Sequence, residues 1–309
     1  MIDLHYDLLS ILYYCYLKED FNYLEEIKRR LSSSGVTHIV CNLYFMNEEE
    51  MKREMGDKYQ KISVLDMFKI STSLFHQHFP NLNAIFSIEG CDYIKDEKEL
   101  EELYKLGLRN ILLVWNNQNK YGSGNRSDSG LTNKGISFLK KAIDLGISID
   151  LSHMNHNTFN DTLKLLKEEK KKNKDIKVIV SHSNCYSICP NPRNLTDEQI
   201  ISLKELNPLI GIVSYGPFVS SSTNIQVLKE KYVEHIKHII SLLGDDCVAV
   251  STDDMKYDYE LLGNSDDIQV FSYQNIKTEL KELLSKNNIC NINKIMYENS
   301  YNKLFRREV

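Results

Sequence analysis

Long apolar runs are missing from this sequence of 309 residues. No stretch reaches the roughly 18 consecutive apolar residues that a membrane-spanning helix needs, and Asp3, His5 and Asp7 interrupt the start of the chain, where a signal peptide would be apolar. A strong net charge is missing as well, since 38 basic and 43 acidic residues leave a net charge of −5. No basic patch with interleaved aromatic residues is present. We therefore expect a protein that binds neither a membrane nor nucleic acid.

The cysteines do not form the dense, paired framework of a small secreted protein. They are seven in number and lie far apart, at positions 15, 41, 91, 185, 189, 247 and 290. The spacing of Cys185 and Cys189 is not that of a C-x-x-C metal motif, so we interpret these two residues as small structural thiols. This use of cysteine favours a reducing compartment and predicts a cytoplasmic protein.

Short apolar segments alternate with longer amphipathic segments along the whole chain, which is the pattern of alternating strands and helices. The helical segments include FNYLEEIKRRLSSSG and TNKGISFLKKAIDLG, and each of them ends in glycine. The eight predicted strands are IDLH, THIVCNL, NAIFSI, RNILLVW, ISIDLS, KVIVSH, LIGIVS and CVAVST. Eight strands that alternate with helices predict an α/β fold, a (β/α)8 TIM-type barrel.

No linker, internal repeat or shift in composition divides the chain, so we expect residues 1–309 to form a single barrel domain. The segments TDEQ at Thr196 and TNIQ at Thr223 resemble capping boxes and predict that a helix begins at each. A longer segment between the second and third predicted strands, at about residues 45–80, is expected to be a helical insertion with a charged turn and a long amphipathic helix.

Histidines and carboxylates stand at the ends of several predicted strands. A single buried histidine is more often a structural residue than a ligand, but the catalytic groups of such barrels lie at the C-terminal strand ends, so these side chains would share one mouth. Their nitrogen and oxygen atoms are suitable ligands for zinc. Two ions about 3.5–4 Å apart can hold a bridging hydroxide and polarise a carbonyl oxygen. The pattern therefore indicates hydrolytic chemistry, and the residues are His5 and Asp7, Glu89, His153, His182 and Asp253, after strands one, three, five, six and eight.

Six motifs occur in order along nearly the whole chain: HYD near the start, IEG at 88–90, GLR at 107–109, GLTNKG at 130–135, IDLSH at 149–153, and SHSN followed by PRNLTDEQI up to residue 200. The last motif is the most specific, whereas HYD alone would be a weak signal. The ordered series resembles the membrane dipeptidase (renal dipeptidase) family of zinc peptidases, whose barrel is of the amidohydrolase kind.

The resemblance implies a ligand set for two zinc ions per chain. Glu89 would bridge the two ions, because it belongs to both groups of ligands. The implied ligands are His5, Asp7 and Glu89 for the first ion, and Glu89, His153 and His182 for the second.

The resemblance also implies two groups that read the ends of a short peptide. Arg193, in the PRN motif, would clamp the terminal carboxylate of the substrate, a task that suits the planar guanidinium fork. The alternative for Arg193 is a salt bridge in a surface loop. Asp253 would bind the amino group of the substrate and transfer a proton.

This chain departs from the family pattern at two places. Many members have a histidine at the end of strand four that is expected to steady the tetrahedral intermediate, whereas this chain has Trp115, which resembles a bacterial, tryptophan-containing branch. Asn116 or Asn119 would then be the candidates for a hydrogen bond to the substrate oxygen. After strand eight the chain has DDMKYD where members usually show D-F-D-G. Substrate preference is therefore less transferable than metal binding.

These observations predict a binuclear zinc dipeptidase in which a metal-bridging hydroxide attacks the peptide bond of a dipeptide and Asp253 passes the proton to the leaving amine. One alternative is a related metal-dependent amidohydrolase that acts on a lactone or an N-acyl amino acid. Arg193 separates these two, because it favours substrates with a free carboxylate. The other alternative is a barrel that binds metal or ligand without turnover. The accepted side chains, their stereochemistry and the formation of a homodimer stay open.

Overall fold

The predicted barrel is confirmed by the computed structural model, which describes residues 1–44, 52, 62–254 and 268–306. Eight parallel strands follow one another in sequence order around a nearly closed barrel. The last strand lies beside the first, and the backbone N–H of Asp253 donates to the carbonyl oxygen of His5 at 3.2 Å. The strands are β1 (Ile2–Tyr6), β2 (His38–Tyr44), β3 (Asn83–Glu89), β4 (Leu108–Leu112), β5 (Ser148–Asp150), β6 (Val178–Val180), β7 (Leu209–Val213) and β8 (Val248–Ser251).

Amphipathic helices bury an apolar face against the outside of the strands. In the helix that follows β4, for example, Phe138, Leu139 and Ala142 are fully buried, at the three- and four-residue spacing of one helix face. The helices are α1 (Leu8–Lys18), α2 (Asn22–Ser34), α3 (Val64–His78), α4 (Glu97–Lys105), α5 (Asn133–Asp144), α6 (His156–Lys170), α7 (Asp197–Ser202), α8 (Gly216–Val219), α9 (Ile225–Leu243) and α10 (Ile276–Lys286). Among the described residues, no helix combines the length and the apolar character needed to cross a membrane.

Apolar side chains fill the lower part of the barrel interior. They come from the first halves of several strands, and the aromatic side chain of Phe305, in the last helical turn Tyr301–Phe305, packs against them. The polar strand ends are therefore confined to the opposite, C-terminal mouth. The buried members of this cluster are Ile2, Leu4, Val40, Ile179, Leu209 and Ala249.

Two predictions about helices have different outcomes. The capping box at Thr196 is confirmed, since its side chain accepts from the N–H of Gln199 and the Gln199 side chain accepts from the N–H of Thr196. The box at Thr223 is wrong, because Asn224 is the N-cap of α9 and its side-chain oxygen accepts two backbone N–H groups. In the expected insertion, α3 occupies Val64–His78, and residues 45–51 and 53–61 lie outside the described part of the chain.

Candidate active site

The side chains predicted from the strand ends meet at the C-terminal mouth of the barrel. His5 belongs to β1 and Glu89 is the last residue of β3, whereas the others stand one to three residues beyond their strands. All of them are at most 8% exposed. The structure therefore brings together the predicted set, which is His5, Asp7, Glu89, His153, His182 and Asp253.

The carboxylate of Glu89 lies at the centre of this cluster. Its Oε2 atom is 3.2 Å from Nε2 of His5. Its Oε1 atom is 2.8 Å from Nε2 of His153 and 3.7 Å from Nε2 of His182. One oxygen of the carboxylate thus faces the ring nitrogen of His5, and the other faces those of His153 and His182.

Several of these atoms are buried without a hydrogen-bond partner of acceptable geometry among the described residues, namely His5 Nε2, Asp7 Oδ1 and Glu89 Oε1. Nε2 of His153 and Nε2 of His182 are also only 2.8 Å apart, so two ring nitrogens compete for one proton or one cation. Buried nitrogen and oxygen atoms that converge on one point without hydrogen-bond partners lower the stability of the folded chain unless a bound ion satisfies them. The residues present therefore fit a divalent metal of the zinc class.

Burial and neighbouring charges set the protonation of these groups in the metal-free chain. Burial lowers the pKa of His153 to about 3, and the positive charge of Arg193 acts in the same direction. Burial also lowers the pKa of His182. Burial opposes the charge on Glu89, but His5 and His153 outweigh it and hold the pKa of that carboxyl below its usual range. Two neutral imidazoles and an ionised carboxylate are the forms that bind metal.

Two of the site residues have a left-handed backbone conformation, with φ of 70° at His153 and 48° at Asp253. Such conformations cost of order 1 kcal/mol for residues with a side chain and are held by the surrounding structure. At Asp253 the constraint comes from both sides, since its N–H donates to His5 and its carbonyl oxygen accepts from the Gln269 side chain at 3.1 Å. The sharp turn after each strand directs the side chain to the mouth.

Uncharged side chains contact the outer nitrogen, Nδ1, of each histidine. Nδ1 of His182 lies 2.8 Å from the hydroxyl of Ser181, and Nδ1 of His5 lies 3.0 Å from the amide nitrogen of Asn42. Sequence reasoning missed both of these partners. Asn42 could have been noticed as a polar residue inside the apolar run of the second strand.

Arg193 is only 7% exposed, which does not agree with a salt bridge in a surface loop. Its Nε and Nη2 atoms have no hydrogen-bond partner among the described residues, and its guanidinium carbon lies 5.4 Å from the ring centre of Phe218. Burial lowers its pKa to about 10, so the side chain stays cationic at neutral pH. A buried cation with two free donors is suited to an anionic group.

Two asparagines hold the loop that carries Arg193. The Asn194 side chain donates to the carbonyl oxygens of Cys189 and Phe218 at 2.9 and 2.8 Å, and it accepts from the N–H of Asn184. The Asn184 side chain in turn accepts from the N–H of Val213 at 2.9 Å. These hydrogen bonds therefore hold the loop that carries Arg193 against β7 and α8.

A cleft of about 240 Å³ opens beside Arg193 and His153. The loop after β4, the start of α6 and the loop after β6 form its walls. Its lining includes Asn125, Met154, Ser183 and Tyr186 together with Arg193 and His153.

Trp115, which departs from the family pattern after β4, and the two asparagines near it have different surroundings. The Trp115 ring stands between Tyr44 and His153, with ring centres 4.9 and 6.1 Å away. Oδ1 of Asn116 lies 3.0 Å from Nδ1 of His153. The Asn119 side chain donates to the carbonyl oxygen of Leu113, the residue after β4, and accepts from the N–H groups of residues 121 and 122, so it holds a turn.

The neighbouring aspartates after β8, Asp253 and Asp254, contact different partners. Oδ1 of Asp253 is 3.7 Å from Nε2 of His5, whereas Asp254 forms a buried salt bridge of 2.7 Å with Arg30 of α2. Asp3, two residues before His5, lies one layer deeper and accepts from the Thr252 hydroxyl at 2.6 Å. The remainder of the altered segment after β8, residues 255–267, lies outside the described residues.

The fold and this cluster define a (β/α)8-barrel protein with a candidate metal centre at its C-terminal mouth. The chain belongs to the membrane dipeptidase family, peptidase family M19, whose sequence model matches residues 11–304. The match begins after His5 and Asp7, so the assignment of these two residues to the candidate site depends on where the structure places them, at the end of β1.

Three similar proteins are informative. An uncharacterized protein of Klebsiella pneumoniae, from the pqqA 5′ region, is 30% identical over 187 residues, which cover 56% of this chain and 65% of that protein. The chain thus spans slightly less than two thirds of this curated relative. A metallopeptidase of Rhodobacter sphaeroides, solved with a phosphinate mimic of L-Ala-D-Ala, has a TM-score of 0.76 at 19% identity and covers 99% of this chain and 98% of its own. A solved dipeptidase of family M19 has a TM-score of 0.75, also at 19% identity, with 99% and 97% covered.

Proposed function

We propose that this chain is a binuclear zinc dipeptidase. The observation that carries the proposal is the placement of Arg193, a buried cation with two unpaired nitrogens, beside a cleft that also reaches the candidate ligand His153. A free carboxylate bound by Arg193 would hold the preceding peptide bond of a short substrate near the metal centre. The membership of the family supports the same conclusion.

The metal assignment follows the two faces of Glu89. We propose that it bridges two zinc ions, because its two oxygens face different donor groups. When bound, two such ions supply a hydroxide and polarise the substrate carbonyl. The proposed ligands are His5, Asp7 and Glu89 for one ion, and Glu89, His153 and His182 for the other.

The other side chains bind and orient the substrate. Arg193 would take the terminal carboxylate in a bidentate hydrogen bond. Asp253 would accept a hydrogen bond from the substrate's amino group, and it would take a proton from the attacking water and pass it to the nitrogen of the leaving amine. Trp115 and Asn116 would line the substrate-binding side of the mouth at the end of β4.

An N-acyl amino acid is the closest rival substrate, because it also carries the carboxylate that suits Arg193. It lacks the free amino group that Asp253 would bind, so it should be the poorer substrate. A lactone lacks both groups. A barrel that catalyses no reaction would not explain why Arg193, which suits a carboxylate, and Asp253, which suits an amine, both lie at the mouth.

A substrate panel tests the proposal on zinc-loaded wild-type protein. It contains L-Ala-L-Ala, L-Ala-D-Ala, the amide of L-Ala-L-Ala, tri-alanine, N-acetyl-alanine and a small lactone. The D-residue is included because the Rhodobacter protein was solved with a mimic of L-Ala-D-Ala. We expect a free dipeptide to be cleaved fastest and the amide and tripeptide far more slowly. Equal rates on free and amidated dipeptide would favour the general amidohydrolase, and a lactone that is hydrolysed fastest would reject the peptidase.

The proposed partner is a small peptide. Six of the seven cysteines are buried as free thiols, which supports the proposal of a reducing, cytoplasmic location.

A further inference from the structure

The hydrogen bond between Asn116 and His153 fixes the chemical state of a candidate metal ligand. Oδ1 of Asn116 lies 3.0 Å from Nδ1 of His153. An amide oxygen only accepts hydrogen bonds, so Nδ1 of a neutral His153 carries the proton and Nε2 keeps its lone pair. That Nε2 atom is the one that lies 2.8 Å from the Glu89 carboxylate.

The backbone that carries Asn116 is held firmly. Its carbonyl oxygen accepts from the N–H of Arg126 at 2.8 Å, and the N–H of Gly124 donates to Asn117 at 3.1 Å. Gly124 packs directly on this segment, because a Cβ atom there would lie 1.7 Å from the carbonyl oxygen of Trp115. The Asn116 side chain therefore starts from a fixed position.

The same loop is joined to the segment that carries His153. Gly124 forms an isolated bridge with Met154, the residue after His153. His153 itself has the left-handed φ of 70°, which a residue with a side chain keeps only where neighbouring contacts enforce it. The partners of the hydrogen bond are thus held on two segments that are themselves paired.

We propose that Asn116 is a positioning residue that fixes His153 in the tautomer and ring orientation in which Nε2 binds the metal. The inference rests on the proposed function, because it requires His153 to be a ligand. It also refines the role of Asn116 in substrate binding, since its oxygen is committed to His153 and only its amide NH2 group is left for a substrate. Partners of this kind raise metal affinity by fixing the ligand, and their loss typically costs 10- to 100-fold.

The test measures zinc affinity, independently of turnover. Wild type and the variants Asn116→Ala, Asn116→Asp and Asn117→Ala are stripped of metal and titrated with zinc in competition with a chromophoric chelator. Asn116→Asp keeps an oxygen acceptor for the Nδ1 proton. Asn117→Ala is the matched control, because Asn117 is the exposed neighbour of Asn116. Circular dichroism checks the fold of each sample.

We expect Asn116→Ala to weaken one of two zinc sites about 10- to 100-fold and to leave the other unchanged, while Asn116→Asp and Asn117→Ala bind as wild type or tighter. Wild-type affinity at both sites of Asn116→Ala would overturn the inference alone. If Asn116→Ala does not fold, Asn116→Leu, which is similar in size and lacks the acceptor, takes its place: wild-type affinity at both of its zinc sites overturns the inference, and about tenfold or weaker binding at one site supports it. Wild type that binds no zinc would overturn the proposed function, and the inference with it.

Discussion

Replacing Arg193 by methionine separates its binding role from its effect on stability. The guanidinium is buried, with Nε and Nη2 unpaired, and burial lowers its pKa to about 10, so the substrate-free protein pays for a desolvated charge. Methionine keeps an unbranched chain that can pack against Phe218. Without substrate we therefore expect the variant to be more stable, by about 1–3 kcal/mol, and each kcal/mol raises Tm by about 1–2 °C in a chain of 309 residues.

The same substitution should cost much activity. A buried ion pair that loses one partner typically costs about 3–5 kcal/mol, which corresponds to a fall of about 10²- to 10⁴-fold in kcat/KM on a free dipeptide. The rate on the dipeptide amide should change little, since the amide has no carboxylate to lose. Arg193→Lys, which keeps the charge but not the bidentate fork, should lie between wild type and Arg193→Met.

The assay is a comparison of kcat/KM on free and amidated dipeptide, with Tm measured by differential scanning fluorimetry on the same samples. A lower Tm together with equal losses on both substrates would show that Arg193 is a structural residue. That result would refute the argument that its unpaired nitrogens await a carboxylate.

Glu89→Gln should release both zinc ions together, as seen by metal analysis, because a neutral amide is a poor bridge between two cations; retention of one ion at full affinity would contradict the shared position. Asp253→Asn should keep the fold and the metals and lower turnover about 10²- to 10⁴-fold. Asp254→Asn should instead lower Tm through its broken contact with Arg30 and spare kcat/KM, and the reverse pattern would exchange the two roles. Burial lowers the pKa of His235 to about 4 from 6.5, so the unfolded chain binds this proton more tightly and stability is lost as the pH falls through that range. Between pH 8 and pH 5 wild type should lose about 2 kcal/mol more of unfolding free energy than His235→Gln in urea titrations, and equal losses would contradict the buried, neutral state.

The barrel was predictable because its strands are buried on both faces and therefore appear as continuous apolar runs. Each of the eight predicted runs overlaps one of the eight strands. The polar residues at their ends were equally visible, since nothing in an apolar run explains a histidine or carboxylate at its last position. The convergence of His5, Glu89 and His153 follows directly from strand order and the common direction of parallel strands.

Contacts between distant parts of the chain were not predictable from local pattern. The salt bridge between Arg30 and Asp254 joins residues 224 positions apart, and its formation depends on how α2 packs against the turn Tyr273–Asn275 before α10. The prediction of Thr223 as the cap of α9 was wrong for a different reason. Thr223 and Asn224 are neighbours and both are good N-cap residues, and only the path of the backbone selects Asn224. The contact of Asn116 with His153 likewise depends on the fold of the loop after β4.

Zinc titration of the metal-free protein, followed by hydrolysis of a free dipeptide, tests the central claim most directly. Wild type is stripped with a chelator, zinc is added in steps, and the rate is plotted against zinc bound per chain. We expect negligible hydrolysis without metal and a rate that rises to its plateau at two zinc ions per chain, because the two oxygens of Glu89 face different ring nitrogens. Full activity in the metal-free protein, or no dipeptide hydrolysis with both ions bound, would contradict it.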